Sequence, residues 1–445
     1  MPLTTPKLSR RGFMVGCSAA IAAMAGSRVT NLSFAAPGPR IDRPDANNYE
    51  TVVVMFLRGG WDSMNAVLPF TGPDRVNYET ARPQLKVPTA NNPNGVASAL
   101  ANSTMSNGTT FGLHPGLAPL KDLYSGGALA IVHAAGLMND TRSHFDAMQF
   151  METGTPQVKT TATGWLTRHL QTLPGTPPNL ILPAVSAGSA QAMSLMGRDD
   201  ALSLSGVNGF DYTAWYWGEA LANQQRGALR QMYTTGGQSW LHKAGDATLN
   251  SLETIETQTA KYTPSPGADY QPYNGLHEQL KTVAQLIKAN LGLLTATVDY
   301  GGWDTHESQQ NGNGDPRGYF FGHLDELGRG LNAFYTDLAG SGHHTRTTLV
   351  LMSEFGRRIR ENDNRGTDHG HGSVMLVLGG SVNGGKVYAN WPGLATNQLY
   401  DNADLAITTD YRTVLSEILT KRAGNPNVAQ VFPGYVHPGD LGIVR

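Results

Sequence analysis

Six short apolar runs, spread along most of this 445-residue chain, constrain its fold more than any other feature. Each is nearly continuous and rich in Val, Ile and Leu, as expected of strands that are covered on both faces. The runs are 51–57, 128–134, 179–185, 293–298, 347–352 and 373–378. Helical patterns lie between them, at 119–124, 144–152, 277–291, 322–338 and 411–419. This alternation predicts a three-layer α/β/α sandwich around a mostly parallel sheet.

The organisation of the chain favours one large α/β domain over residues 45–445. No Pro/Gly-rich linker or change of composition divides this range. Residues 187–275 contain no convincing strand but are rich in Gln and Thr and contain several Trp. We expect a mainly helical insertion there, with a position over the site as a lid.

Residues 1–35 differ from the rest. Arg10, Arg11 and Phe13 precede a short apolar stretch of small residues at 15–26, the pattern of a twin-arginine export signal. The stretch is too short to span about 30 Å of hydrocarbon, so we expect cleavage near residue 35 and no stable membrane anchor. The protein is then periplasmic or secreted, exported already folded. The single cysteine, Cys17, lies within this segment.

The charge balance argues against nucleic acid as a partner. The chain has 33 Lys and Arg against 35 Asp and Glu, a formal charge of -2, and no basic run that could follow a phosphate backbone.

The tetrapeptide Gly-Gly-Trp-Asp occurs twice, at 59–62 and 301–304, each time directly after a predicted core strand. In open α/β sheets ligands bind at the carboxyl ends of the strands, where paired glycines allow sharp turns and close approach. A repeated turn whose Asp caps a helix would give the same pattern. Two copies favour the functional reading, with Asp62 and Asp304 as metal ligands.

Two further ligand candidates follow predicted strands. His306 comes just after the second tetrapeptide, and Glu354 follows the strand 347–352. Both are therefore expected at the edge that carries Asp62 and Asp304.

The segment 366–372, Gly-Thr-Asp-His-Gly-His-Gly, stands immediately before the strand 373–378. If that strand is antiparallel to its predecessor, its start brings His369 and His371 to the same edge, although glycine-rich polar loops often only form turns. Mixed carboxylate and imidazole donors suit a divalent ion such as zinc, manganese or iron, or two ions together.

The candidate nucleophile is Ser143, which follows the strand 128–134 and opens a helix. A helix N-terminus favours an anion, and a metal could lower the hydroxyl pKa. Ser143 is equally acceptable as an N-cap residue, with Asp146 three positions later. Beside it, Arg142 could hold an anionic group of the substrate.

Taken together, these segments resemble the DUF1501 family of bacterial exported proteins, over residues 1 to about 435. The matching motifs are Leu-Arg-Gly-Gly-Trp-Asp-Ser-Met-Asn at 57–65, Arg-Ser-His-Phe-Asp at 142–146, Gly-Gly-Trp-Asp-Thr-His at 301–306, Ser-Glu-Phe-Gly-Arg at 353–357 and Asp-His-Gly-His-Gly at 368–372. Their number and common order carry the resemblance.

The resemblance implies a fold like that of the alkaline phosphatase and sulfatase superfamily, whose members hydrolyse phosphate or sulfate esters beside one or two metal ions. It implies that Asp62 stands at the position of a metal-bridging Asp, Ser143 at that of the nucleophile, and Asp304 with His306 at a metal site. His369 or His371 matches the late His. Glu354-Phe355 departs from the usual adjacent Asp-His pair, which puts a second metal in question.

Two functions follow as hypotheses. The first is an exported metal-dependent hydrolase of a small or polymer-attached anionic ester, with Ser143 attacking in line. The second is a non-catalytic binding or assembly protein on the same scaffold, because fold alone does not establish activity.

Overall fold

The computed structural model describes residues 49–176, 180–198, 200–206, 218–235, 240–272 and 275–445. The predicted export signal at 1–35 lies outside these residues and stays a prediction.

The strands of the described residues are β1 (Thr51–Leu57), β2 (Val67–Thr71), β3 (Ser98–Ala99), β4 (Thr110–Leu113), β5 (Leu129–Gly136), β6 (Ala184–Ala187), β7 (Ala201–Ser203), β8 (Thr295–Tyr300), β9 (Thr347–Ser353), β10 (Ser373–Gly379), β11 (Val387–Tyr388) and β12 (Thr409–Asp410). Most of them belong to one nine-stranded sheet in the order β11-β5-β10-β9-β1-β8-β6-β7, with β12 beside β5, and β2, β4 and β3 form a second, small sheet.

The helices pack on both sides of the large sheet. Those of the described residues are Ser63–Ala66, Pro73–Ala81, Lys121–Ser125, His144–Thr153, Trp165–Thr172, Gly218–Thr235, Trp240–Thr259, Gly275–Lys288, Tyr319–Gly340, Tyr411–Lys421 and Val428–Val431, with 3₁₀ turns at Pro115–Leu120, Met193–Leu195, His343–Arg346 and Thr396–Gln398.

The predicted α/β class and the mostly parallel sheet are confirmed. β1 is parallel to β8 and β9, and β6 is parallel to β7 and β8. Strand β10 runs against both of its neighbours, β9 and β5. The condition stated for the strand 373–378, an antiparallel pairing with its predecessor, is therefore met, and the start of β10 lies at the edge where its neighbours β9 and β5 end.

Two hydrophobic cores account for the layers. Alternate side chains of a strand point to opposite faces, so Val53 and Met55 of β1 enter one core while Val52 and Val54 enter the other. The helices Gly275–Lys288 and Tyr319–Gly340 supply the first core, and His144–Thr153, Trp165–Thr172 and Tyr411–Lys421 supply the second. Burial of β1 on both faces explains its continuous apolar sequence.

The strand expected at 179–185 begins later, at Ala184. Pro183 precedes it and lacks the N–H that a paired position requires, while its carbonyl accepts from Leu294 and Thr295.

The expectation of no strand in 187–275 is wrong, because β7 pairs with β6 at the edge of the sheet. The helical part of that expectation agrees with the described residues, which include the helices Gly218–Thr235 and Trp240–Thr259. These two pack on each other, and the second also contacts the helix Gly275–Lys288. A lid role stays a prediction.

The two Gly-Gly-Trp-Asp turns pack against each other beyond the ends of β1 and β8. Trp61 and Trp303 are buried and meet edge to face, with ring centroids 5.9 Å apart. Gly59 has φ +121°, and a Cβ there would lie 2.6 Å from the backbone nitrogen of Asp304. The contact between the turns therefore needs glycine at this position.

We expect Gly59→Ala to lower the free energy of unfolding by at least about 2 kcal/mol, through backbone strain and this clash. Gly301→Ala is the matched control, because a Cβ at Gly301 meets no atom within 4 Å. Urea unfolding of the two variants measures the difference, and equal stability of both would contradict the explanation.

Candidate metal centre

The carboxyl edge of the sheet gathers loops from five strands. The turns after β1 and β8, the loops after β5 and β9, and the loop before β10 all meet there, as the strand directions require. Asp304 lies at the centre of the group, with its side chain 46% exposed.

Three imidazoles point their Nε2 atoms at the Asp304 carboxylate. His306 Nε2 lies 3.0 Å and His369 Nε2 3.2 Å from Oδ1, and His144 Nε2 lies 3.4 Å from Oδ2. The nearest ligand atoms of His144, Asp304 and His369 all lie within 4.8 Å of one another. This is the spacing at which one ion can be shared.

The opposite nitrogen of each ring is held by an oxygen acceptor. His144 Nδ1 donates to Glu354 Oε1 at 2.7 Å and His306 Nδ1 to Asp368 Oδ1 at 3.2 Å, while His369 Nδ1 donates to the carbonyl of Arg142 at 2.8 Å. In a neutral ring whose proton is on Nδ1, a lone pair remains on Nε2 and is available to an ion. Metal-binding histidines characteristically have this outer hydrogen bond.

The donor set fits a divalent ion. His306 Nε2 and His369 Nε2 are only 2.9 Å apart, and two lone pairs at that distance repel unless a proton or a cation lies between or beside them. His144 Nε2 is buried without a hydrogen-bond partner. Nitrogen and carboxylate ligands of this kind suit zinc, manganese or iron.

The local charges act on the cluster in opposite directions. Partial burial raises the pKa of Asp304, but the hydrogen bond and charge of Arg357, together with His306, outweigh it and lower that pKa to about 2. The hydrogen bond to Glu354 raises the pKa of His144, against the effect of burial. Burial lowers the pKa of His369, which favours the neutral, ligating form.

Glu354 lies behind His144 and does not face Asp304. Its carboxylate accepts from His144 Nδ1, from the backbone N–H of Gly59 at 2.7 Å and from the hydroxyl of Ser353 at 3.0 Å. Glu354 is fully buried and orients the imidazole. Its place is that of an acceptor behind an imidazole, and not the place of a direct ligand predicted for it.

Asp62 follows β1 at the same edge but points away from the imidazoles. Its Oδ2 pairs with Arg82 at 2.6 Å and accepts from Gln309 Nε2 at 2.7 Å, and the side chain is fully buried. Asp62 and Asp304 thus lie at the same edge, as predicted, but the fixed charge of Arg82 holds Oδ2 of Asp62, and its Oδ1 is buried without a hydrogen-bond partner.

Ser143 is exposed and forms the N-cap of the helix His144–Thr153, where its hydroxyl accepts from the backbone N–H of Asp146 at 3.5 Å. A nucleophile should direct its hydroxyl at the ligand cluster, and that prediction is wrong for this structure, because the hydroxyl caps an orphan N–H of its own helix. Its role as a nucleophile stays a prediction.

Arg142 and His371 also take other partners. The guanidinium of Arg142 pairs with Asp404 at 2.5 Å and Asp401 at 3.2 Å, so only its carbonyl reaches the cluster. His371 stacks on Tyr400, with ring centroids 4.1 Å apart, and the charged groups around it are those of Asp404, Arg142, Asp140 and Asp401.

The DUF1501 family model, described as a protein of unknown function, matches residues 49–425. The chain belongs to the DUF1501 family. No curated protein matches the sequence significantly.

Two solved structures show distant similarity to this DUF1501 chain. One is Ps i-CgsB in complex with k-i-k-neocarrahexaose, 10% identical, with a TM-score of 0.34, covering 87% of this chain and 75% of that one. The other is a mutant of the alkaline phosphatase PafA, 11% identical, with a TM-score of 0.26, covering 72% and 64%. At these TM-scores neither similarity carries an argument about the superfamily or the chemistry.

Sequence reasoning missed three residues of this DUF1501 centre: His144, Asp368 and Arg357. His144 stood beside Ser143 at the same strand end, and its position just after a predicted N-cap was the available signal. Asp368 preceded a chosen histidine by one residue. For Arg357, whose partners come from distant loops, the sequence carries no local signal.

We expect Asp304→Asn to lower the stability of the chelator-treated DUF1501 protein at pH 7, with a loss that shrinks as the pH falls. The folded pKa, about 2, lies below the unfolded value, so the contribution of Asp304 is complete above about pH 4 and is lost as the pH falls through 2. Urea unfolding at several pH values measures it. Asp363→Asn, at an exposed position, is the control. A difference that does not change with pH would contradict the assignment.

Proposed function

We propose that this protein is an exported, metal-dependent hydrolase of a phosphate or sulfate ester, either small or attached to a polymer. One observation carries the proposal: three imidazoles direct Nε2 at one carboxylate while Nδ1 of each is fixed by an oxygen acceptor. Hydrogen bonds to Nδ1 fix the orientation of an imidazole, as they do in metal sites where Nε2 binds the ion.

Asp304, His144, His306 and His369 would hold the ion. When bound, a divalent ion supplies a Lewis acid that polarises the ester and lowers the pKa of an attacking hydroxyl or water. The chain supplies orientation, because Glu354, Asp368 and the carbonyl of Arg142 fix the three rings before any ligand arrives.

Ser143 remains the proposed nucleophile, because it directly precedes His144 and is open to solvent. Its hydrogen bond to the N–H of Asp146 is long, so the hydroxyl can leave the cap at small cost. The start of a ten-residue helix also favours an incoming anion. In this role Arg142 holds the loop through Asp404 and does not contact the substrate.

The alternative is a non-catalytic protein that binds an ion or ligand at this edge. It is favoured by Arg357, whose guanidinium already compensates Asp304 at 2.6 Å. Metal content together with turnover separates the two functions, because only the hydrolase requires both.

We expect the exported protein to contain a transition metal and to cleave generic aryl phosphate or sulfate esters. His369→Ala should lose the metal and lower kcat/KM by at least about 100-fold, because an inner ligand is removed. His437→Ala is the control, since its ring pairs with Asp440 away from the cluster. A metal-free wild-type protein with full turnover would exclude the proposal.

Ser143→Ala separates the nucleophile from the metal centre. We expect this variant to keep its metal and its fold and to lose ester hydrolysis. Wild-type turnover by Ser143→Ala, on an ester that the protein cleaves, would indicate direct attack by water.

Export is part of the proposal and rests on Arg10, Arg11 and Phe13. Changing both arginines to Lys should leave the full-length precursor in the cytoplasm, because the twin-arginine route reads the pair itself. Fractionation of cells with an antibody against the protein measures this, and unchanged export would exclude the route. Within the described residues, no helix has the length and apolar character to cross a membrane.

A further inference from the structure

Arg357 lies in a cage of oxygen atoms behind the metal centre. Its guanidinium donates to the carbonyls of Gly59, Gly60, Trp303 and Thr367 and to Asp304 Oδ1. The side chain is completely buried. A cation surrounded by backbone carbonyls and one carboxylate is in the environment that hard metal ions prefer.

Asp304 joins this cage to the imidazoles. Its Oδ1 lies 2.6 Å from Arg357 Nη2, and its Oδ2 faces His144 Nε2 at 3.4 Å. We propose that Arg357 is a built-in second cation, bridged by Asp304 to a single divalent ion, so that the centre binds one ion and not two. This inference rests on the proposed metal dependence.

The surrounding ligands support a single ion. In the described parts of the chain, the His and carboxylate atoms close enough to share an ion all gather on one carboxylate, that of Asp304, with His369 and either His144 or His306. Asp62, the other carboxylate after a Gly-Gly-Trp turn, has its Oδ2 engaged by Arg82 and Gln309, while its Oδ1 is buried without a hydrogen-bond partner. A second ion would therefore have to share Asp304 with the first or compete with Arg82 for Asp62.

The sum of the local charges also favours one bound ion. Asp304, Glu354 and Asp368 carry three negative charges, Arg357 carries one positive charge, and the imidazoles that ligate are neutral. One divalent ion balances this group. A second would leave an excess of positive charge beside the completely buried guanidinium of Arg357, where repulsion between cations is weakly screened.

Arg357 is a positioning residue, because its buried side chain cannot reach a substrate. Its charge and its hydrogen bonds hold Asp304 and both Gly-Gly-Trp turns where the ion needs them. The consequence for chemistry is that an ester meets one ion at this centre.

The stoichiometry of Mn²⁺ binding tests this directly. The chelator-stripped mature protein, without an affinity tag, is titrated with Mn²⁺ and free ion is measured by electron paramagnetic resonance. We expect one bound ion per chain, and none in the double variant His144→Ala/His369→Ala. Two ions in the wild-type protein would overturn the inference. His437→Ala, at a distant histidine, should bind one ion as the wild type does.

Two substitutions test the charge itself. Arg357→Lys keeps a cation in the cage and should still bind one ion, whereas Arg357→Ala leaves an empty oxygen cage and should bind a second. A single ion in folded Arg357→Ala at millimolar Mn²⁺ would overturn the inference. If Arg357→Ala does not fold, a second ion in Arg357→Lys would overturn it, and the wild-type stoichiometry decides independently.

These outcomes distinguish the inference from the proposed function. If the protein binds one ion but hydrolyses no ester, the inference of a single ion holds and the proposed hydrolase function fails. If the protein binds two ions and hydrolyses an ester, only the inference of a single ion fails. If it binds no ion, both the inference and the proposed function fail.

Discussion

The guanidinium of Arg357 is buried, and the loops around it must supply oxygen acceptors because an unpaired buried charge is strongly destabilising. The turn after β1 supplies two carbonyls, the turn after β8 supplies a carbonyl and Asp304, and the loop before β10 supplies the carbonyl of Thr367. One side chain thus fixes the relative positions of three loops. Its neighbour Glu354 fixes a fourth through His144.

Much of the fold could be predicted, because burial on both faces makes core strands continuously apolar. β1 matches its expected range and β9 ends one residue later, and the antiparallel placement of β10 correctly brings His369 to the edge. Side-chain direction could not be predicted. Whether Asp62 turns toward Asp304 or toward Arg82 depends on a pairing between separate loops. The periodicity of a strand gives no information about such a pairing.

The three imidazoles are oriented by acceptors from different parts of the chain. Glu354 follows β9, Asp368 precedes β10, and the carbonyl of Arg142 precedes the helix His144–Thr153. The loop that carries Arg142 is itself held by the buried Asp404. Ring orientation is therefore a property of the assembled sheet edge, and an ion bound there would stabilise the folded chain by linking loops that are distant in sequence.

Phe355 limits the freedom of the imidazoles at this edge. It packs on His144 and His369 with ring centroids 4.9 and 5.0 Å away. A Cβ on Gly60 would lie 2.5 Å from the Phe355 ring, so the glycine leaves room for it. The phenyl ring offers no nitrogen or oxygen ligand, but it confines two rings that do. An ion binding to these two imidazoles would therefore have less conformational entropy to overcome than with freely rotating rings.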